Sequence, residues 1–193
     1  ADGKLNGAGG GTFVTTGNAY KERLMFYSWD STAVGKQFEF TYTLRDNVYQ
    51  QKGYIDSDKY RHFSIEEQFQ TAKAETTLQH GGLEGAWWLE QATWTDGRLG
   101  EGRYAQAASL KLYVYPRFAT AMFNKVTGEF LGATGGTYQY DGTTLTEVID
   151  YATWGIPRGE KLSIRIQMAE AGHYKQQWEN SIEVWKKLKQ NSW

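Results

Sequence analysis

The chain has 193 residues, a net charge of −1 and 22% charged residues, with both signs interspersed along the sequence. This near-neutral balance gives no electrostatic attraction to nucleic acid or to an anionic membrane surface. No apolar run approaches the roughly 20 residues of a membrane-spanning helix. Cysteine is absent, which excludes disulfides, thiolate metal sites and a cysteine nucleophile. We therefore expect no nucleic-acid partner and no membrane span.

Aromatic residues make up 16% of the chain and glycine occurs 22 times, against two prolines, which favours strands and turns over helices. Alternating apolar and polar residues predict strands at 36–44, 109–115, 118–123, 136–140, 145–151, 161–168, 173–178 and 181–188. Thr127-Gly128 and Asp141-Gly142 supply hairpin turns. With an opening strand near residue 83, this regular spacing predicts an all-β sandwich or an up-and-down barrel.

An internal repeat organises the chain. Residues 7–29 match residues 132–154 at an offset of 125 without a gap, with Glu22 aligned to Glu147 and Trp29 to Trp154. After a small slip the match continues, pairing Tyr49 with Tyr174 and residues 64–66 with 181–183. We interpret this pattern as a duplication.

The two copies are unequal, because residues 83–131 have no counterpart in the first copy. We predict a partial unit over 1–73, a linker over 74–82 and a complete barrel over 83–190. Two interpretations of the half-unit stay open. Either a longer parent polypeptide was cut at an exposed turn, or the half-unit is completed by another segment or another chain. The second interpretation includes a homo-oligomer that forms through the N-terminal unit.

Five motifs of the second copy occur in a characteristic order, at residues 83–87 (LEGAW), 124–128 (NKVTG), 135–138 (GGTY), 146–151 (TEVIDY) and 182–186 (IEVWK). Together they resemble the bacterial lipocalin-like domains found mostly in secreted proteins of gut Bacteroidetes. The resemblance implies a lipocalin-like antiparallel up-and-down β-barrel and a secreted or periplasmic location, with the signal peptide removed. Such domains often carry histidine where this chain has Val148, so an activity that depends on that histidine is not expected.

The adjacent Trp87 and Trp88 cannot both face the interior of a barrel, because successive side chains of a strand point to opposite sides. We expect a tryptophan inside, with its indole N–H bonded to the backbone. By the same alternation Glu147 and Asp150 face opposite sides, which argues against a catalytic carboxylate pair. A glutamate bonded inside the barrel to an arginine or to a tryptophan N–H is the favoured interpretation.

No other motif indicates an active site. His62, His80 and His173 lack metal-ligand spacing. The glycine-rich stretches 7–11 and 132–136 lack the Lys-Ser/Thr of a phosphate-binding loop, so we interpret them as strand kinks or bulges. We expect no catalytic residue, no metal and no cofactor, and we favour a protein that is not an enzyme.

The leading hypothesis is a barrel that binds a small apolar or aromatic ligand in its interior, since eight-stranded barrels are just wide enough to hold one. The candidate ligand-binding residues are Tyr113, Tyr138, Glu147, Trp154 and Tyr174. One alternative is a carbohydrate-binding or carbohydrate-processing accessory domain with an exposed aromatic platform. The other is a structural module that assembles by strand completion.

Overall fold

In the computed structural model, residues 4–70, 82–93, 101–179 and 181–189 are described. Within these ranges the chain forms thirteen β-strands and three short 3-10 helices, and the predicted all-β class is confirmed. The strands are β1 (Gly9–Thr16), β2 (Ala19–Tyr27), β3 (Gln37–Arg45), β4 (Val48–Ile55), β5 (Phe63–Gln70), β6 (Gly85–Thr93), β7 (Ala107–Val114), β8 (Arg117–Asn124), β9 (Phe130–Tyr140), β10 (Thr144–Ala152), β11 (Lys161–Ala169), β12 (His173–Trp178) and β13 (Ser181–Lys187). The 3-10 helices are Ser31–Ala33, Gly102–Tyr104 and Glu170–Gly172.

Strands β6–β13 close into an eight-stranded barrel, the architecture predicted for this part of the chain. Each strand neighbours the next one in the sequence, and β13 pairs antiparallel with β6 to complete the circle. Closure in this up-and-down order leaves no strand with a free edge.

Strands β1–β5 form a separate, open sheet in sequential order, and they belong to a compact unit distinct from that of the barrel. The linker predicted over 74–82 lies, except for Gly82, outside the described residues. The domain boundaries therefore stay predictions.

The two glycine-rich stretches coincide with irregular strand pairing, as the sequence predicted. The ladder between β1 and β2 shifts between Gly10 and Gly11. The ladder between β9 and β10 shifts in β10, opposite Gly135 and Gly136. A Cβ at Gly11 would overlap the carbonyl oxygen of Arg23, and a Cβ at Gly136 would overlap that of Val148. Both are bulges that only glycine fits, and they lie 125 residues apart.

The strand ladders correct one part of the sequence alignment. Gln51 pairs with Glu67 as Gln176 pairs with Glu183, so Glu67 and not Glu66 corresponds to Glu183. The pairing of residues 64–66 with 181–183 is wrong by one position. Because side chains alternate between the two faces of a sheet, this one-residue shift matches side chains of opposite faces.

The barrel interior is packed with aromatic and aliphatic side chains. The buried core consists of Leu83, Trp87, Tyr113, Phe118, Tyr138, Leu145, Ile149, Ile164, Ile166, Tyr174 and Trp185. Trp87 faces inward, and its indole N–H donates to the carbonyl oxygen of Leu83 at 2.7 Å. Trp88 lies on the other side of the strand, edge-on to Phe123. The expected division between the two tryptophans is confirmed.

Candidate functional site

Strand β7 places a lysine inside the barrel. Its inward row is Ser109, Lys111 and Tyr113, all of them buried. The apolar residues between them point outward, and the exposed fractions of Leu112 and Val114 are 47% and 60%. The usual amphipathic strand buries its apolar row and exposes its polar row, and β7 does the opposite. Because lysine is almost never fully buried without a partner, Lys111 must have partners inside the barrel.

The partners of Lys111 come from distant strands. Its ammonium donates to Oε1 of Glu147 at 3.2 Å and to Oε1 of Gln176 at 3.4 Å. It also lies over the rings of Tyr113 and Trp185, 5.6 and 5.3 Å from their centroids. A carboxylate, an amide and two aromatic faces therefore compensate for its loss of water.

Two glutamates extend this network. The Tyr113 hydroxyl donates to Oε1 of Glu147 at 3.1 Å. Oε2 of Glu183 accepts from Nε2 of Gln176 at 2.5 Å and from the indole N–H of Trp185 at 2.9 Å. Glu147 is thus bonded inside the barrel, but to a lysine and a tyrosine, and the tryptophan N–H goes to Glu183. We call Lys111, Tyr113, Glu147, Gln176, Glu183 and Trp185 the interior polar cluster.

Two buried hydroxyls in the barrel lack a hydrogen-bond partner. Within the described ranges neither Oγ1 of Thr120 nor the hydroxyl of Tyr174 forms a hydrogen bond of normal geometry. Tyr174 approaches Tyr113, and burial raises the pKa of both phenols well above the ordinary value, with the negative charge of Glu147 adding to the effect. Both phenols are therefore protonated at physiological pH; the proton of Tyr113 goes to Glu147, and that of Tyr174 is available to an acceptor.

The cluster divides the interior into two unlike parts. On one side lie large rings: Trp87 meets Tyr174 edge-on with centroids 4.6 Å apart, and Tyr113 meets Tyr138 at 4.8 Å. On the other side, the inward rows of β7 and β8 continue past Lys111 with Ser109 and Met122, which pair with each other. Thr120, the ladder partner of Lys111, lies at the boundary.

Four of the five predicted ligand-binding residues meet in this interior. Tyr113, Tyr138, Glu147 and Tyr174 are all buried there. Trp154 is elsewhere: it lies in the turn after β10, its exposed fraction is 38%, and its ring covers Gly132.

The sequence analysis missed Lys111, Gln176 and Glu183. The available signal was the alternation of β7, which places Lys111 on the same side as Tyr113. A second signal was the recurrence of the Gln51 and Glu67 pair as Gln176 and Glu183, which a one-residue shift of the alignment reveals.

The other candidate groups lie outside the cluster. Asp150 faces outward and forms an ion pair with Arg117, on the opposite side from Glu147 as expected. Nε2 of His173 lies 3.2 Å from Oε2 of Glu90. Among the residues with assigned positions, no group of three or more histidine or acidic side chains is arranged to hold a metal ion. Over the same residues, no helix has the length and apolar character needed to cross a membrane.

Comparison with known proteins gave no match to a family model, to a curated protein or to a solved structure. The lipocalin-like family thus stays a prediction.

Proposed function

We propose that the barrel binds a small molecule with an aromatic or apolar body and one oxygen acceptor, which lies beside the interior polar cluster. The observation that carries this proposal is that two buried hydroxyls beside a buried lysine, those of Thr120 and Tyr174, form no hydrogen bond of normal geometry with any described residue. Buried polar groups normally have hydrogen-bond partners, so each such hydroxyl calls for an explanation. A ligand carbonyl or carboxylate oxygen would accept the protons that they offer.

The energetics of the cluster support the same proposal. A buried ion pair such as Lys111 with Glu147 is rarely the most stable filling for a core, since well-packed apolar residues often do as well or better. Ionisable groups held in unusual surroundings are concentrated at functional sites. The cluster is therefore more readily explained by binding than by stability.

The packing limits the size of the ligand. Five large rings, those of Trp87, Tyr113, Tyr138, Tyr174 and Trp185, occupy one side of the interior. Ser109 and, at the boundary, Thr120 have smaller side chains, so we assign the ligand's body to the Ser109 side and its oxygen to the boundary beside Thr120. We infer a single-ring or short-chain ligand, since an eight-stranded barrel is just wide enough for one small molecule.

The proposal also includes a secreted or periplasmic location and an origin of the chain by internal duplication. The resemblance to secreted lipocalin-like domains supports the location. The recurring bulges at Gly11 and Gly136 support the duplication.

The test is native mass spectrometry of protein purified without refolding, followed by thermal unfolding with benzoate, phenylacetate, indole-carboxylate and decanoate. We expect a retained small molecule that is released on denaturation, or a stabilisation that grows with ligand concentration, about 2.7 kcal/mol at one hundred times the dissociation constant. Thr120→Val should weaken binding at least tenfold. The matched control Val114→Thr changes the outward face of β7 and should leave binding unchanged. A ligand-free mass together with no stabilisation by any probe would refute the proposal.

A further inference from the structure

The open sheet β1–β5 repeats the last five strands of the barrel, β9–β13, in its ladder register. Three ladder pairs of the sheet each match a ladder pair of the barrel. The pair Glu22–Phe38 matches Glu147–Leu162, the pair Leu44–Tyr49 matches Met168–Tyr174, and the pair Tyr49–Phe69 matches Tyr174–Trp185. The same register in both sheets means that each side chain of the open sheet has a defined counterpart in the barrel.

The open sheet repeats the three polar groups of the interior polar cluster that come from β10, β12 and β13. Nε2 of Gln51 donates to Oε2 of Glu67 at 2.5 Å, as Gln176 does to Glu183 at the same distance. Glu22 stands where the barrel has Glu147. Phe69 stands where the barrel has Trp185. The remaining two members, Lys111 and Tyr113, come from β7, which has no counterpart among the described strands of the sheet.

The face of the sheet that contains Glu22, Gln51 and Glu67 carries negative charge and no described lysine or arginine from β1–β5. The basic residues Lys21 and Lys52 point to the opposite face, where they pair with Glu39 and Glu66. Burial raises the pKa of Glu22, and the nearby charge of Glu67 raises it further. A cation bonded to Glu22 and Gln51, as Lys111 is to Glu147 and Gln176 in the barrel, would compensate for this negative charge.

Aromatic side chains on the same face are exposed where their barrel counterparts are covered. Phe13 and Phe69 have exposed fractions of 64% and 53%, whereas the corresponding Tyr138 and Trp185 are at most 2% exposed. In the barrel, Tyr113 packs edge-on against Tyr138, and the Lys111 ammonium lies over Trp185. Both covering side chains come from β7.

The two outer strands of the sheet each have one free edge, whereas the corresponding strands of the barrel are paired on both sides. Strands β1 and β5 are the edges of the open sheet, and their counterparts β9 and β13 pair with β8 and β6. A free edge next to an uncovered apolar face is the arrangement that accepts added strands.

We propose that β1–β5 is the receptor for a three-stranded antiparallel polypeptide segment from outside residues 1–193, which closes the sheet into a second eight-stranded barrel. Its middle strand carries a lysine or arginine that reaches Glu22 and Gln51, with an aromatic residue two positions later, in the spacing of Lys111 and Tyr113. The β6–β8 strands of a second copy do not supply this segment, because they are already paired on both sides within a closed barrel.

The test uses the full chain and, as probe, a synthetic polypeptide of residues 83–126, which spans β6–β8. Calorimetry should detect binding, and the same probe with Lys111→Met should bind at least tenfold more weakly. In the receptor, Glu22→Gln should reduce affinity to a similar extent. The matched control Glu39→Gln alters an acid on the opposite face and should change affinity less than twofold.

Hydrogen exchange locates the binding. We expect new protection of the β1 and β5 amides and none in β9 and β13, which are already paired. A second form of the experiment joins residues 83–126 to residue 1 through a Gly/Ser linker, so that a weakly binding probe is still presented to the sheet. Absence of protection in both forms, or binding that is indifferent to both Lys111→Met and Glu22→Gln, would overturn the proposal. A dimer in light scattering with β1 and β5 protected without the probe would overturn it in favour of a second copy.

Discussion

The Lys111 ammonium lies 3.2 Å from the Glu147 carboxylate, and these two side chains are 5% and 4% exposed. Lys52 and Glu66 form a pair at 2.6 Å in the open sheet, but these side chains are 61% and 70% exposed. Removing one partner of a buried pair leaves a charge without water or a counter-ion, whereas an exposed partner is simply solvated.

We therefore expect Lys111→Met to lower the free energy of unfolding by about 3–5 kcal/mol. The control Lys52→Met should lower it by at most about 1 kcal/mol. The double variant Lys111→Met with Glu147→Leu should regain most of the loss, since it removes both buried charges. Urea denaturation of the four proteins measures these differences. Equal losses for the two single lysine variants would contradict the assignment of a buried ion pair.

Two buried tyrosines of the barrel should respond differently to loss of their hydroxyls. The Tyr113 hydroxyl donates to the Glu147 carboxylate, so Tyr113→Phe should lower the free energy of unfolding by about 1.5–3 kcal/mol. The Tyr174 hydroxyl lacks such a bond to any described residue, and Tyr174→Phe should be neutral or slightly stabilising in the ligand-free protein. Chemical denaturation of both variants provides the comparison. A large loss for Tyr174→Phe would mean that its hydroxyl has a partner.

The bulge between β9 and β10 should not tolerate a methyl group at residue 136. A Cβ on Gly136 would overlap the carbonyl oxygen of Val148, so Gly136→Ala has to displace backbone and should lower the free energy of unfolding by about 1–3 kcal/mol. The neighbouring Thr137→Ala should change it by less than about 0.5 kcal/mol. Thermal unfolding monitored by circular dichroism measures both. A neutral Gly136→Ala would contradict the close approach at this bulge.

The raised pKa of Glu22 predicts a pH dependence of stability with a defined sign. The titratable groups that interact with this carboxyl are Tyr20 and Tyr27 on its own strand, Tyr49 on β4 and Glu67 on β5. Burial, with the charge of Glu67, raises the pKa of Glu22 above its ordinary value of 4.5 although the Tyr20 hydroxyl opposes the shift. The folded state therefore favours the protonated form of Glu22. The resulting contribution to the free energy of unfolding is complete below pH 4.5 and is lost as the pH rises through the raised pKa.

Glu22→Gln should accordingly match the unchanged protein at pH 4 and exceed its stability at pH 7. Glu39→Gln, on the opposite face and paired with Lys21, should show no such gain. Denaturation at a series of pH values separates the two. A stability difference for Glu22→Gln that is independent of pH would contradict the raised pKa.

The strands could be predicted from the sequence because the alternation that marks them is local. The predicted strand 173–178 coincides with β12, and 161–168 falls one residue short of β11. The bulges were predictable for the same reason, since glycine pairs at Gly10 and Gly135 signal a bent strand within a few residues.

Local patterns did not determine which face of β7 turns inward. The alternation separates Leu110, Leu112 and Val114 from Lys111 and Tyr113, and hydropathy would bury the first set. The structure buries the second, because partners on β10 and β12 compensate for the charge of Lys111. Such compensation is invisible in a strand read by itself.

By itself, therefore, the sequence determined the all-β class, most strands of the barrel and the positions of the bulges, because each depends on residues close together in the chain. The tertiary structure alone decided the interior polar cluster. Lys111 is 36 residues from Glu147 and 65 from Gln176, so these side chains meet only when the strands between them pair in register and the barrel closes. The same register decided that Glu67, and not Glu66, shares a face with Gln51. One step along a strand turns a side chain to the opposite face, and only the ladder fixes that step.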